Sequence, residues 1–149
     1  IHIPELGLTI CPKIETTVTH TQSIFEFYNA KAFYRGVIKE NLKDFYQDPA
    51  NARKAINACI TLYHLADWYW VNDKNKREKQ KEIPHSLALS NIANGSKHFN
   101  PQKCYQSGKV EGTDIPETLT LNSDNEIIKI EDMLKEIEKF WDNKILSSK

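Results

Sequence analysis

Charge of one sign does not dominate this chain: Lys and Arg number 20, Asp and Glu number 20, and the formal net charge is zero. No overall field therefore draws the protein to nucleic acid or to an anionic membrane, although a local basic patch remains compatible with neutrality. Cysteine is scarce. Cys11, Cys59 and Cys104 are an odd number at wide spacing with no C-x-x-C pair, so they read as reduced thiols of a reducing compartment, with Cys59 a small buried hydrophobe among apolar neighbours. Long apolar runs are missing too, and no segment reads as a membrane span. The chain starts at Ile1 without a basic start or the apolar core of a secretory signal. The expectation is a soluble cytoplasmic protein, with room for a missing upstream segment.

Several chemical signatures are also lacking. The glycines at 7, 36, 95, 108 and 112 match neither a phosphate loop nor a dinucleotide fingerprint. There is no G-x-S-x-G elbow, and neither Cys11 nor Cys104 has an identifiable base, so covalent catalysis finds no support. His64, Asp67 and His98 would be enough ligands for zinc or iron, but the H-E-x-x-H and E-x-x-H pairings that make such a site specific are absent. The expected set is no metal and no cofactor.

What is present is the material of a core. Hydrophobic residues make up 40% of 149 residues and aromatics 10%, which suits one ordinary domain rather than a disordered chain. Residues 1–20 mix Pro4, Gly7 and Pro12 with β-branched residues and read as an extended N-terminal arm. Three core helices are expected over 21–99. Ser23 and Glu26 form a capping box, and Ile24, Phe27, Tyr34, Ile38, Leu42 and Phe45 recur at helical spacing to about Tyr46. Asp48-Pro49 predicts the start of a second helix, which runs to about Val71 and carries two adjacent apolar stripes, so it should be central. The charged stretch 72–81 holds five Lys or Arg. It reads as a solvated connection or frayed helix that could also touch phosphate.

Pro84 and Ser86 open a third helix ended by Asn100-Pro101. Residues 100–130 are predicted as loop followed by a β-hairpin, Leu119-Thr120-Leu121 against Ile127 to Ile130 around Ser123-Asp124-Asn125. An amphipathic C-terminal helix is expected over 131–146, through Leu134, Ile137, Trp141 and Ile145. The fold class is therefore mainly α: a four-helix bundle in a single domain, with a small β-hairpin before the last helix.

Two polar blocks interrupt the apolar helices. In Tyr63-His64-Leu65-Ala66-Asp67-Trp68, His64 and Asp67 stand at i and i+3, where a carboxylate can fix an imidazole's tautomer or hold it charged. In Asn91-Ile92-Ala93-Asn94-Gly95-Ser96-Lys97-His98-Phe99, the side chains of Asn91, Asn94 and His98 form one stripe beside Lys97, with Gly95 and Ser96 allowing close backbone approach. Two amides and an imidazole on one line can hold a phosphate, a base edge or a water. Three readings stay open: a groove site in which the stripes face each other, a buried network that fixes helix register, or unrelated exposed surface. Trp68, Tyr69 and Trp70 with Tyr63 could stack bases or fill core and rim.

These two blocks, with Phe140-Trp141 in the last helix, resemble a group of small uncharacterised bacterial helical proteins over roughly residues 50 to 145. The placing of a polar helix residue a few positions before a histidine also resembles the HEPN superfamily. That resemblance implies a four- or five-helix bundle, often a homodimer, from toxin–antitoxin or phage-defence systems, many of whose members cleave RNA without metal through an Arg followed by His. His98 matches that histidine. The matching arginine is not in the block, since the arginines are Arg35, Arg53 and Arg77.

The leading expectation is a protein that binds or acts on RNA or a nucleotide. If it cleaves, it is a metal-independent ribonuclease. His98 would then be general acid or base, Asn94 and Lys97 would hold the phosphate, His64 and Asp67 would support the site, and Asn91, Ser96 and Trp68 would bind substrate. The alternative is a non-enzymatic interaction module or accessory subunit, with a protein partner and structural polar residues. No membrane partner is expected.

Overall fold

A computed structural model describes residues 23–97, 105–109, 116–123 and 126–147. The extended arm expected over 1–20 and the helix end expected at Asn100-Pro101 lie outside them. The chain is mainly helical, with a small antiparallel sheet before the last helix.

The first long helix is continuous through three parts: α1 (Ala30–Phe33), a π-helical turn (Tyr34–Ile38) and α2 (Lys39–Tyr46). Tyr34, Ile38, Leu42 and Phe45 are wholly buried, as their spacing predicts. The expected capping box does not form. Phe25 takes a left-handed backbone (φ 55°), Ile24 and Phe27 close a tight turn through two backbone hydrogen bonds of 3.0–3.1 Å, and the cap is Asn29, whose side chain accepts from the Ala32 N–H at 2.9 Å. A chain turned left-handed at Phe25 cannot continue as a helix. Ile24 and Tyr28 are accordingly exposed.

The second start is also displaced, from Asp48-Pro49 to Asn51. Asn51 accepts from the Lys54 N–H at 3.1 Å and opens α3 (Ala52–Tyr69), while Asp48 closes the preceding turn and receives the Asn51 side-chain amide. Both side chains have cap chemistry; the turn decides which one uses it. α3 is central as expected, burying Ala55, Ala58, Cys59, Leu62, Leu65 and Ala66 against the first helix and against the helix α5 (Ser86–Lys97).

The charged stretch forms turns around a short helix, α4 (Lys76–Gln80), which buries none of its residues. Ile83 then drops into the core and α5 (Ser86–Lys97) begins. His85, with φ 55°, pairs with Glu136 on the last helix.

The sheet has the order β1 (Tyr105–Lys109), β2 (Pro116–Ser123), β3 (Glu126–Lys129). The expected hairpin is β2–β3, in register from Thr120 opposite Lys129 to Ser123 opposite Glu126. β1 replaces part of the expected loop and pairs with β2 from Tyr105 opposite Leu121 to Lys109 opposite Pro116. Its sequence has no apolar alternation, and the backbone of β2 supplies the partner that the pattern does not announce. Leu119 and Leu121 are buried, and Ile127 is exposed.

β3 leads directly into α6 (Ile130–Trp141) and a second π-helical turn (Asp142–Leu146). Ile130, Met133, Leu134, Ile137, Trp141 and Ile145 are buried. A polar knot ties this helix to the first. The Tyr34 hydroxyl donates to Asp142 at 2.6 Å and the Tyr46 hydroxyl to Glu138 at 2.8 Å, while Lys39 lies 2.7 Å from both carboxylates.

Candidate functional site

No polar or charged residue is buried among the described residues. Of the three open readings, a buried network that fixes helix register is therefore not observed among the described residues. On α3 the inward positions belong to Leu62, Leu65 and Ala66, which leaves His64 and Asp67 facing solvent with side chains 52% and 48% exposed. His64 Nδ1 stands 3.8 Å from Asp67, an ion-pair distance too long for a hydrogen bond. The other Asp67 oxygen takes the Lys76 ammonium at 2.6 Å. The tautomer-fixing contact expected of this pair is thus replaced by a tie between α3 and α4.

On α5 the inward residues are Leu89 and Ala93. Asn94 is exposed and donates to Ser90 at 3.2 Å, one turn back on its own helix. Asn91 is half-buried, Ser96 donates to the Ala93 carbonyl at 2.7 Å, and Lys97 ends the helix exposed. His98 lies outside the described residues. Among the described residues no hydrogen bond or ion pair joins His64 or Asp67 to Asn91 or Asn94, so the facing of the two stripes is not observed. Trp68 is taken up in packing, stacked on Phe33 with ring centroids 4.4 Å apart and planes 4° from parallel. Among the described residues no three His, Cys, Asp or Glu side chains gather as metal ligands would.

What the fold does build beside these blocks is a groove of about 300 Å³ between α3, the α4 segment and α5. Leu62, Ala66, Ile83 and Leu89 supply its apolar floor, and Tyr63 lines it from α3. Arg77, Gln80 and Lys81 line it from the α4 side, Ser86, Leu87 and Ser90 from α5. Among the described residues the ionisable side chains in this lining are a tyrosine and two cations, with no carboxylate. Lys76 is tied to Asp67, Lys79 to Asp73 at 2.5 Å, and Lys81 to Glu78 at 3.2 Å, whereas Arg77 has no carboxylate partner among the described residues. The hydrogen bonds from Lys79 and from the Asn75 N–H hold the Asp73 carboxyl below its ordinary range.

The first predicted block gives Tyr63 and Ala66 to this groove while its His64 and Asp67 stand outside the lining, and among the described residues the second block gives none. Tyr63 precedes His64, and their ring centroids are 5.7 Å apart; Ser90 is the partner of Asn94. Arg77, Gln80, Lys81, Ile83, Ser86 and Leu87 are lining residues that the motif reading passes over. Its one available signal is that the 72–81 charge run could touch phosphate. A guanidinium fork, amide and hydroxyl groups above an apolar floor can receive a ligand with a flat apolar part and a negative group.

Comparison of the chain with models of known protein families, with curated proteins and with solved structures finds no match. Among the described residues no helix is long and apolar enough to cross a membrane.

Proposed function

We propose that this chain is a HEPN-like helical module that binds RNA or a nucleotide in the groove between α3, α4 and α5, in a bacterial toxin–antitoxin or phage-defence setting. The observation that carries the binding reading is Arg77. Among the described residues it lines an apolar groove whose only charged lining residues are cations, and it is held by no carboxylate. A guanidinium in that state is free to take a phosphate through two parallel N–H donors. Tyr63 offers a ring on which a base can stack. The setting and the HEPN relationship rest on the sequence resemblance alone. The ribonuclease expectation depends on His98, outside the described residues.

Fluorescence anisotropy of a labelled eight-nucleotide single-stranded RNA and of labelled adenosine monophosphate tests the proposal. Arg77→Glu should weaken binding of whichever ligand is bound by more than tenfold. Equal binding by the variant contradicts it.

A second reading is favoured by Leu87, 73% exposed at the groove's edge. An apolar side chain presented beside an apolar floor suits a protein partner, as in an accessory subunit. On that reading Leu87→Ser abolishes complex formation with the partner while Arg77→Glu leaves it intact.

A further inference from the structure

The groove offers one of each element that nucleotide recognition uses. Among the described residues Tyr63 is its single aromatic lining residue. The neighbouring aromatics are engaged: Trp68 stacks on Phe33, and Tyr69 and Trp70 each pack on Trp141 with centroids 5.3–5.4 Å apart. Among the described residues its charged lining is one guanidinium with no carboxylate partner and one ammonium, Lys81, whose bond to Glu78 joins two side chains more than 70% exposed and exchanges readily with solvent or ligand. Proteins that follow a nucleic-acid strand need successive stacking rings and a row of cations along the backbone. A space of about 300 Å³ lies at the lower limit of small-molecule pockets.

From this we infer that the occupant is a single nucleoside monophosphate, with its base on Tyr63, its phosphate on Arg77 and Lys81, and its polar edges toward Gln80, Ser86 and Ser90. The inference rests on the nucleotide-binding reading above and narrows it from a polynucleotide to one unit. The apolar floor of Leu62, Ala66, Ile83 and Leu89 accepts the base and the sugar's carbon face. The absence of a carboxylate from the lining among the described residues makes the groove complementary to a dianionic phosphate.

Isothermal titration of the full chain with the four ribonucleoside 5′-monophosphates, adenosine, adenosine triphosphate and an unphosphorylated eight-nucleotide RNA tests it. The expected result is one-to-one binding of at least one monophosphate, at least tenfold weaker binding of its nucleoside, and a loss of tenfold or more in Arg77→Ala. Arg53→Ala, on the exposed first turn of α3 away from the groove lining, should bind like the wild type. Thermal melts of both variants confirm that they are folded. Binding of the RNA that no monophosphate displaces overturns this inference and leaves the nucleic-acid reading standing. Failure of every ligand overturns both. Adenosine binding as tightly as its monophosphate removes the phosphate from the account, and triphosphate binding tenfold tighter overturns the monophosphate.

Discussion

Asp67 holds Lys76 at 2.6 Å and stands 3.8 Å from His64. The carboxylate therefore fastens the start of α4 to α3, and Arg77 is the next residue along. Asp67→Asn should cost about 0.5–1 kcal/mol of stability, the ordinary worth of an exposed ion pair, and weaken ligand binding several-fold by loosening the segment that carries Arg77. His64→Ala should change stability by less than about 0.5 kcal/mol, as exposed substitutions do. Melting curves and titrations of the two variants check this, and a larger loss of binding in His64→Ala would return the histidine to the site.

The knot between the first and last helices predicts weakness in alkali. Burial raises the phenols of Tyr34 and Tyr46 above their ordinary range, with the hydrogen bonds to Asp142 and Glu138 adding to it. Burial pulls Lys39 down, but its bonds to Asp142 and Glu138 outweigh that and leave it raised, and burial alone pushes the Cys59 thiol up to about 12. In each case the folded chain keeps a proton that the unfolded chain releases at lower pH. The stability these groups contribute is full below pH 9, falls as the unfolded thiol ionises from its ordinary 9.0, and falls faster as unfolded tyrosines ionise from 10.0. Each of the two phenols and the thiol adds up to about 1.4 kcal/mol per pH unit to the decline. Denaturant unfolding from pH 8 to 11 should show it, and Tyr46→Phe should make the decline above pH 10 shallower; an unchanged slope would contradict the account.

Gly36 lies in the first π turn, and the ring of Phe27 occupies the place where its Cβ would stand. Glycine to alanine within a helix ordinarily gains about 1 kcal/mol. Here Gly36→Ala must displace the ring from its edge-on contact with Phe33, and a net loss of about 1–2 kcal/mol is expected. In a Phe27→Ala background the same change should be neutral or stabilising. A double-mutant cycle gives the coupling directly, and additive effects would rule out the contact.

Trp141 is wholly buried, and its indole N–H has no hydrogen-bond partner among the described residues. Trp141→Ala should cost about 3–5 kcal/mol. Trp141→Phe keeps much of the packing and removes an unsatisfied donor worth about 1–3 kcal/mol, so its cost should be under half as large. Equal costs for the two would mean that the N–H is paired.

The helices are legible in the sequence where one apolar face repeats without competition, as at Tyr34, Ile38, Leu42 and Phe45 or at Leu134, Ile137, Trp141 and Ile145. Their starts are less legible, because Ser23, Asn29, Asp48 and Asn51 all have cap chemistry and only the local turn selects between them. β1 carries no alternating pattern and depends on pairing with a distant strand. The polar blocks are visible as motifs, but the apolar arc of α3 is so wide that composition does not sort His64 and Asp67 onto its solvent side. The groove is the least legible feature. It exists only because the turn through Ile83 brings Arg77 and Lys81, from an ordinary-looking charge run, beside α3 and α5.

The central claim is that the ligand sits in this groove, and nuclear magnetic resonance of the ¹⁵N-labelled chain titrated with a ribonucleoside monophosphate tests it most directly. The account predicts saturable shifts concentrated at Tyr63, Ala66, Arg77, Lys81, Ser86 and Ser90, and lost in Arg77→Ala. Shifts centred instead on Asn91 to Lys97, or shifts that survive Arg77→Ala unchanged, would contradict it.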